Sequence, residues 1–191
     1  LCAAAPGWAA ADVAHELEQT FISVAEQVSD SVVYLEVKSR YADADGDSNP
    51  FVDAPPAGFE PLVEGAGSGV IIDPDGLILT NYHVIRGAVD IQVRLHDNRI
   101  FPGEIVGEDP DSDLAVVRID ASGLSAATFG DPADVHVGQW AIAIGAPFGL
   151  RYSITVGHVS ARARREIGEL AVQEFLQTDA SINPGNSGGP L

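Results

Sequence analysis

A serine lies between glycines at positions 185–189, where the sequence reads Gly-Asn-Ser-Gly-Gly. Glycines let the backbone adopt conformations closed to other residues and approach a ligand closely. A nucleophilic serine needs this setting, because its hydroxyl must stand clear of side chains and nearby N–H groups must converge where an oxyanion forms. The amides of Gly185 and Ser187 are one residue apart and can converge in this way. The alternative is a glycine-rich turn with an incidental serine.

A serine hydroxyl also needs a base, and the chain has five histidines as candidates. His83 follows "GLILTN" and precedes "VIRGA", so it lies where a strand ends in a short turn, from which a side chain can face a cleft. The other histidines fit the N-terminal helix, two strands and a connector, and they are His15, His96, His158 and His136.

The base in turn needs an orienting carboxylate. Asp113, in "DPDSDLAVVRI", is the last acidic residue before a strongly apolar strand, so it is the one expected to be partly buried. A buried carboxylate requires a partner, and an imidazole N–H would serve. The alternative, an aspartate in an N-terminal turn, fits Asp109 and Asp111 better. Spacing alone does not select one trio.

The charge of the chain excludes some classes of partner. Its 191 residues include 28 acidic and 10 basic side chains, for a net charge of −18, which disfavours nucleic-acid binding. The apolar stretches are too short and too often interrupted to predict a membrane span. No cofactor and no metal site are predicted.

Four of the ten basic residues form the one local concentration of positive charge, and they are Arg151, Arg162, Arg164 and Arg165.

The first residues have the composition of a processing segment. Small residues at Ala9 and Ala11 fit an A-x-A cleavage site before Asp12, so we interpret residues 1–11 as the end of a secretory signal. An alanine-rich linker is the alternative. A lipid anchor at Cys2 is less well supported, because bulky Leu1 precedes it. The single cysteine permits no internal disulfide.

The hydrophobic periodicity predicts one helix followed by strands. Apolar residues three and four apart between Val13 and Val28 predict a helix that begins at an Asp12 N-cap. From Val32 onward, short β-branched and aromatic runs are bounded by Gly, Pro and Asp turns, which predicts antiparallel all-β structure. A long mobile surface loop is expected at 39–65 and a connector between two halves at 120–137. In the oxygen-rich "DADGDSN" at 43–49, Gly46 is in the wrong place for a calcium loop, because Ser48 stands where the turn glycine belongs and Ala54 where the glutamate belongs.

Four motifs in order give the chain a specific resemblance. The segments "GSGVIIDPDGLILTNYHVI", "DPDSDLAVVRID", "GAPFGLRYSITVGHVSA" and "QTDASINPGNSGGPL" together resemble the protease domain of the HtrA (DegP-like) family of serine proteases, from about Asp12 to the end. The resemblance implies His83 as general base, Asp113 as orienting acid and Ser187 as nucleophile. It also implies a chymotrypsin-like fold of two six-stranded β-barrels with the site in their cleft. The first barrel, with the helix, would occupy 12–130, and an incomplete second barrel 131–191.

The resemblance also assigns loops. It implies that the amides of Gly185 and Ser187 form an oxyanion hole, and that an activation loop comprises Ser181, Ile182, Asn183, Pro184 and Asn186 around them. Residues 161–173 fall where the family has a regulatory sensor loop, which makes Arg162, Arg164 and Arg165 candidates for an interdomain or subunit contact; solvated charge is the alternative. Tyr82 replaces an asparagine common in the family, a change we regard as neutral. Asn186 replaces the aspartate of the zymogen switch, which indicates control through loops.

The family further implies a biological setting. We expect unfolded or misfolded proteins of the bacterial cell envelope as substrates, cut after small aliphatic residues, in a trimer-based homo-oligomer with one or more PDZ domains downstream. In this fold the last strands of the second barrel follow the nucleophile, so we predict that these 191 residues alone show little proteolysis. Two alternatives remain: a chaperone-like client-binding protein, and a structural β-sandwich with an accidental motif match.

Overall fold

The structure, a computed structural model, describes residues 7–40, 62–146, 152–164 and 175–191. It contains an N-terminal helix and two antiparallel sheets, which confirms the all-β prediction with a short N-terminal helix and an incomplete second barrel. The elements in chain order are α1 (Gly7–Ser29), β1 (Val32–Arg40), β2 (Leu62–Asp73), β3 (Leu77–Asn81), α2 (Tyr82–Ile85), β4 (Ala88–Arg94), β5 (Ile100–Pro102), β6 (Glu104–Asp109), β7 (Leu114–Arg118), a 3₁₀ turn (Pro132–Asp134), β8 (Trp140–Gly145), β9 (Ser153–Arg164) and β10 (Phe175–Thr178).

The first sheet closes on itself. Its strand order is β5-β4-β1-β2-β3-β7-β6, and the two edge strands, β5 and β6, are joined by Gly103 alone. They are therefore two parts of one strand that bends at Gly103. A Cβ atom there would lie 2.8 Å from Val117 Cγ1 and 2.9 Å from Ile91 Cγ2, so any larger residue would force these core side chains to shift. The seven segments thus correspond to the six strands expected of the first barrel.

Alternation of side chains fills this barrel. Along β1, Val33, Leu35 and Val37 face inward and are buried, while the residues between them face outward. Burial of such branched side chains stabilises the fold by about 1.5–3 kcal/mol each. The remaining large members of the core come from β2, β3, α2, β4 and β7 and the segments that follow, and they are Ile71, Ile78, Ile85, Ile91, Val93, Leu95, Val117, Ile119 and Leu124.

The second sheet has the order β10-β9-β8 in the described residues. Residues 119–139 lead to it from the first sheet without a strand, as expected of the connector, and include the 3₁₀ turn capped by Asp131, which accepts a hydrogen bond from Ala133 N at 2.8 Å. Helix α1 reaches this sheet through Phe21, whose ring lies edge-on to Trp140 at 5.1 Å between centroids.

Two predicted boundaries differ from the structure. Helix α1 begins at Gly7, so Asp12 lies within it and is not its N-cap. The predicted loop at 39–65 is shorter than expected, because Ser39 pairs with Val63 and Arg40 with Leu62 at the open ends of β1 and β2. The rest of that loop, including 43–49, lies outside the described residues. No helix among those described is long and apolar enough to cross a membrane.

Tyr152 connects the two sheets and gives a first testable prediction. Its hydroxyl donates to the Val32 carbonyl at 2.9 Å. Burial, reinforced by the carboxylates of Asp30 and Asp97, raises the pKa of Tyr152 from 10.0 to about 12. The folded state therefore holds this proton more tightly than the unfolded state, so its contribution to stability is complete below pH 10.0 and is lost as the pH rises toward 12.

After allowance for the partial exposure of the Tyr152 side chain, we expect its deprotonation to lower the free energy of unfolding by about 1 kcal/mol. Urea unfolding of the natural protein and of Tyr152→Phe between pH 8 and pH 11.5 measures it. The phenylalanine variant should be less stable at pH 8 and should decline less steeply above pH 10. Parallel curves for the two proteins would contradict the assignment.

Candidate active site

His83 lies on the one-turn helix α2, directly after strand β3. Ile85 of the same turn is buried in the barrel core and fixes the turn to the sheet, while the His83 side chain is 56% exposed. The sequence predicted a strand end followed by a turn at this point, and the structure has one. His83 is thus presented to solvent from a rigid support.

Asp113 holds His83 at two points. Its Oδ2 lies 2.7 Å from His83 Nδ1, and its Oδ1 accepts a hydrogen bond from His83 N at 2.8 Å. An ionised carboxylate only accepts, so the Nδ1 atom carries the proton and the neutral ring leaves Nε2 free to accept one. The Asp113 side chain is only 22% exposed, in agreement with the expected partial burial.

Asp113 has a left-handed backbone, with φ of 55°. Its carbonyl accepts hydrogen bonds from Tyr82 N at 3.0 Å and from Asn81 Nδ2 at 2.9 Å, and these bonds hold that conformation. A non-glycine residue in this region is uncommon, although aspartate tolerates it better than most, and such residues cluster at functional sites. Asn81 therefore orients the carboxylate through the backbone, a role that the sequence did not reveal.

The neighbouring aspartates form a turn instead. Asp109 accepts hydrogen bonds from Ser112 Oγ at 2.7 Å and from Asp111 N at 3.1 Å. The hydrogen bond from Ser112 is the main cause that lowers the pKa of the Asp109 carboxyl. This agrees with the interpretation of Asp109 and Asp111 as turn residues.

The segment 181–189 is a compact loop between the two sheets. Asn186 N donates to Asn183 O at 3.0 Å and Gly189 N to Asn186 O at 2.9 Å, while Gly185 and Gly188 have φ of 100° and 82°. A Cβ on Gly188 would collide with the Ser68 carbonyl oxygen, so glycine is required there on two counts. Among the described residues, no atom accepts a hydrogen bond from Gly185 N or Ser187 N.

Ser187 lies beside the turn that carries His83. Its carbonyl accepts a hydrogen bond from Ser68 N at 2.8 Å. A Cβ placed on Gly67 would lie 3.3 Å from that carbonyl and 2.6 Å from Val84 Cγ1, so Ser187 and helix α2 converge at Gly67. Within the described residues, no hydrogen bond joins Ser187 to His83. Nucleophile and base are often more loosely placed without substrate than during reaction.

The other predicted loop residues have different environments. Ser181, Ile182, Asn183 and Pro184 are exposed, and the Ser181 carbonyl accepts from Thr155 Oγ1 at 2.8 Å. Asn186 is only 7% exposed, and its Oδ1 is buried with no hydrogen-bond partner. The side-chain nitrogen Nδ2 of Asn186 donates to Ser181 O at 3.5 Å, a weak bond within the loop.

The arginine cluster is only partly described. Arg162 is exposed and its Nη2 donates to Pro132 O at 2.8 Å, so it contacts the connector between the sheets. Arg164 belongs to β9, but its side chain lies outside the described residues, as do Arg165 and Arg151. The interdomain or subunit contact stays a prediction.

Sequence reasoning missed Ser68, which contacts the loop at two points. Its hydroxyl donates to Gly185 O at 2.6 Å, and its amide donates to Ser187 O. A signal existed: Ser68 is flanked by Gly67 and Gly69, the same setting that drew attention to Ser187. Nothing in the sequence, however, indicated which residues 117 positions away it would meet.

Comparisons with known proteins identify the class of domain that most of the chain matches. A family model described as a trypsin-like peptidase domain matches residues 67–191. A probable periplasmic serine endoprotease, DegP-like, from Chlamydia trachomatis is 50% identical over 125 residues, which are 65% of this chain and 25% of that protein. The chloroplastic protease Do-like 1 of Arabidopsis thaliana is 52% identical over 134 residues, 67% of this chain and 30% of its own length. The chain thus spans about a quarter of the length of the curated relatives that it matches.

Solved structures give the same result. The HtrA-type protease AlgW with a decapeptide has a TM-score of 0.73 at 36% identity, over 88% of this chain and 54% of that one. AlgW with a tripeptide has a TM-score of 0.74 at 35% identity, and the match covers 88% of this chain and 49% of that one. The fold and the matched domain thus define the class as trypsin-like peptidases, which confirms the chymotrypsin-like fold. Within that class, the chain belongs to the HtrA family of serine proteases.

Proposed function

We propose that the protein is a serine endopeptidase in which Ser187, His83 and Asp113 form a catalytic triad. The observation that carries the proposal is the two-point contact between Asp113 and His83, at 2.7 Å to the ring and 2.8 Å to the backbone. That contact leaves Nε2 as the basic atom of a half-exposed imidazole, on the helix turn whose Val84 approaches Gly67 together with the Ser187 carbonyl. His158 has a related contact with Asp179, but its Nδ1 lies 3.7 Å from Asp179 Oδ2, so His83 alone among the described histidines combines a backbone hydrogen bond with a short ring contact to one carboxylate.

In the proposed reaction, Ser187 Oγ attacks the carbonyl carbon of a peptide bond while His83 Nε2 accepts the hydroxyl proton. Asp113 keeps the Nδ1–H tautomer and stabilises the imidazolium that forms. His83 then donates the proton to the leaving amine, and an acyl-enzyme remains. Water, deprotonated by His83, attacks the ester and releases the carboxylic acid, which restores Ser187.

The oxyanion of each tetrahedral intermediate requires hydrogen-bond donors that are already in place. The amides of Gly185 and Ser187 are proposed for this role, since neither donates to another described residue. Loss of one such donor lowers kcat by about 10²–10³ in comparable enzymes. The carbonyl groups of both residues are held by Ser68, which supports a loop that is ordered before substrate binds.

Names of relatives support a location and a substrate class. Those from bacteria are described as periplasmic serine endoproteases, and we propose the bacterial periplasm or cell envelope for this protein. Two solved neighbours contain a tripeptide or a decapeptide, which supports peptide segments as ligands. Unfolded or misfolded envelope proteins, cut after small aliphatic residues, remain the proposed substrates. A trimer-based oligomer and PDZ domains in the same polypeptide are proposed with them.

A fluorophosphonate probe tests the proposal directly. The full-length protein is incubated with the probe, with and without an activating peptide, and the modified residue is mapped by mass spectrometry. We expect one label per chain at Ser187, because only an activated serine displaces fluoride at a useful rate. Protein unfolded in urea before exposure is the control and should stay unlabelled. Persistent absence of label at Ser187 in folded protein would favour a client-binding function without proteolysis.

A further inference from the structure

Ser68 is buried and fully engaged in hydrogen bonds. It lies on β2 with 0% exposure, in the first sheet, and its partners lie in three other segments. Its amide donates to Ser187 O at 2.8 Å and its carbonyl accepts from Thr80 Oγ1 at 2.7 Å. Its hydroxyl donates to Gly185 O at 2.6 Å and accepts from Ala146 N at 2.8 Å. Every donor and acceptor group of this residue is thus used.

These bonds fix the loop on both sides of Asn186. The carbonyls of Gly185 and Ser187 are both bound to Ser68, and Asn186 N donates to Asn183 O between them. The peptide group between Asn186 and Ser187 carries Ser187 N–H. It is therefore flanked on both sides by carbonyl groups that hydrogen bonds from Ser68 hold in place. Gly185 itself offers little resistance to rotation, because glycine accepts positive and negative φ almost equally. The clamp from Ser68 supplies the constraint that Gly185 lacks.

A serine is required for the clamp because its hydroxyl donates and accepts at once. Through that one group, the loop is tied both to β2 of the first sheet and to Ala146, which directly follows β8 of the second. Alanine would leave the buried Ala146 amide and the partly buried Gly185 carbonyl without their partner. Cysteine keeps the approximate volume, with a weak donor and a weak acceptor.

We infer that Ser68 is a positioning residue that aligns the amides of Gly185 and Ser187 on the oxyanion, an inference that rests on the proposed function. Ser68 binds the carbonyl groups of the loop and does not touch the reacting atoms. It therefore acts through the orientation of the two amides, which matters in the chemical step, where the oxyanion forms. The signature of the role is a fall in kcat with little change in KM, since transition-state contacts are lost and ground-state contacts are kept.

The test compares three variants of the full-length protein in hydrolysis of a fluorogenic peptide, with active sites counted by fluorophosphonate titration. For Ser68→Ala we expect kcat per labelled site to fall about 10- to 100-fold, less than the roughly 10²–10³ for a donor removed outright. KM should stay within about twofold. Ser68→Cys should give an intermediate kcat, and it keeps the inference testable if the alanine variant does not fold.

The matched control is Ser39→Ala. Ser39 is a buried serine on neighbouring β1 whose hydroxyl donates to Arg86 O at 3.2 Å, with no contact to the loop. Its loss should lower stability without changing kcat. If Ser68→Ala and Ser39→Ala have equal kcat, or if Ser68→Ala raises KM alone, the positioning role is overturned. Failure of the natural protein to label or to hydrolyse would instead overturn the proposed function.

Discussion

Replacement of Ser187 by alanine is expected to lower kcat for peptide hydrolysis by about 10⁶-fold, as loss of the nucleophile does in other serine proteases. This corresponds to about 8 kcal/mol of activation free energy. The substitution removes only Oγ. The amide and the carbonyl of residue 187 remain, so the proposed oxyanion donor and the hydrogen bond from Ser68 N at 2.8 Å both persist. Binding of substrate should therefore be unchanged.

The measurement is hydrolysis of an unfolded protein and of a fluorogenic peptide by the full-length protein, with peptide affinity followed separately by fluorescence anisotropy. We expect hydrolysis to fall to the detection limit while the Kd for the peptide stays within about twofold. Ser160→Ala, an exposed serine on β9, is the control and should retain full activity. Hydrolysis by Ser187→Ala within tenfold of the natural rate would show that another residue is the nucleophile.

Local pattern predicted most strands of this fold and two of the three proposed catalytic residues in their correct local setting. The strand that ends before His83 and the apolar strand after Asp113 are both present, because period-2 alternation and turn residues are local signals. The bent strand β5–β6 was missed. Its segment contains Pro102 and Gly103, which punctuate a sequence pattern, and only packing against Val117 reveals why glycine is there.

The site required information that sequence separation hides. The contact of Ser68 with Gly185 joins residues 117 positions apart, and that of Asn81 with Asp113 joins residues 32 apart. No sequence pattern around Ser68 or Asn81 indicates which distant residue each one contacts. The left-handed φ of 55° at Asp113 was equally invisible, since it depends on hydrogen bonds to its carbonyl from another strand end. The family resemblance selected the trio from four ordered sequence motifs, a signal that does not depend on knowing these long-range contacts.

Replacement of Asp113 by asparagine is expected to lower kcat by about 10⁴-fold with little loss of stability. Asparagine tolerates the left-handed conformation nearly as well as aspartate, so the φ of 55° at this position is kept. The carboxamide, however, has one acceptor where the carboxylate had two. Its oxygen is needed by His83 N, which now donates at 2.8 Å, so its NH₂ faces Nδ1 of the ring.

An NH₂ group donates, and it therefore stabilises the tautomer with the proton on Nε2. In that tautomer Nε2 cannot accept the proton of Ser187, so the base is lost although every atom is near its original place. The opposite orientation of the amide leaves the His83 amide facing a second donor, which is no better. The expected loss of activity arises because the amide donates a hydrogen bond where the carboxylate accepts one. It therefore differs from the general electrostatic effect of removing a negative charge.

Asp111→Asn provides the comparison that isolates this effect. Asp111 lies on the same turn and is exposed, and removal of its charge leaves the contacts of His83 intact. Its kcat should stay within about twofold of the natural protein, with both variants measured on the same fluorogenic peptide and corrected for folded fraction by circular dichroism. If both asparagine variants lose activity equally, the field of the acidic turn matters and the orientation of His83 does not. If neither does, His83 needs no orienting carboxylate, and the 2.7 Å contact between Nδ1 and Oδ2 serves stability alone.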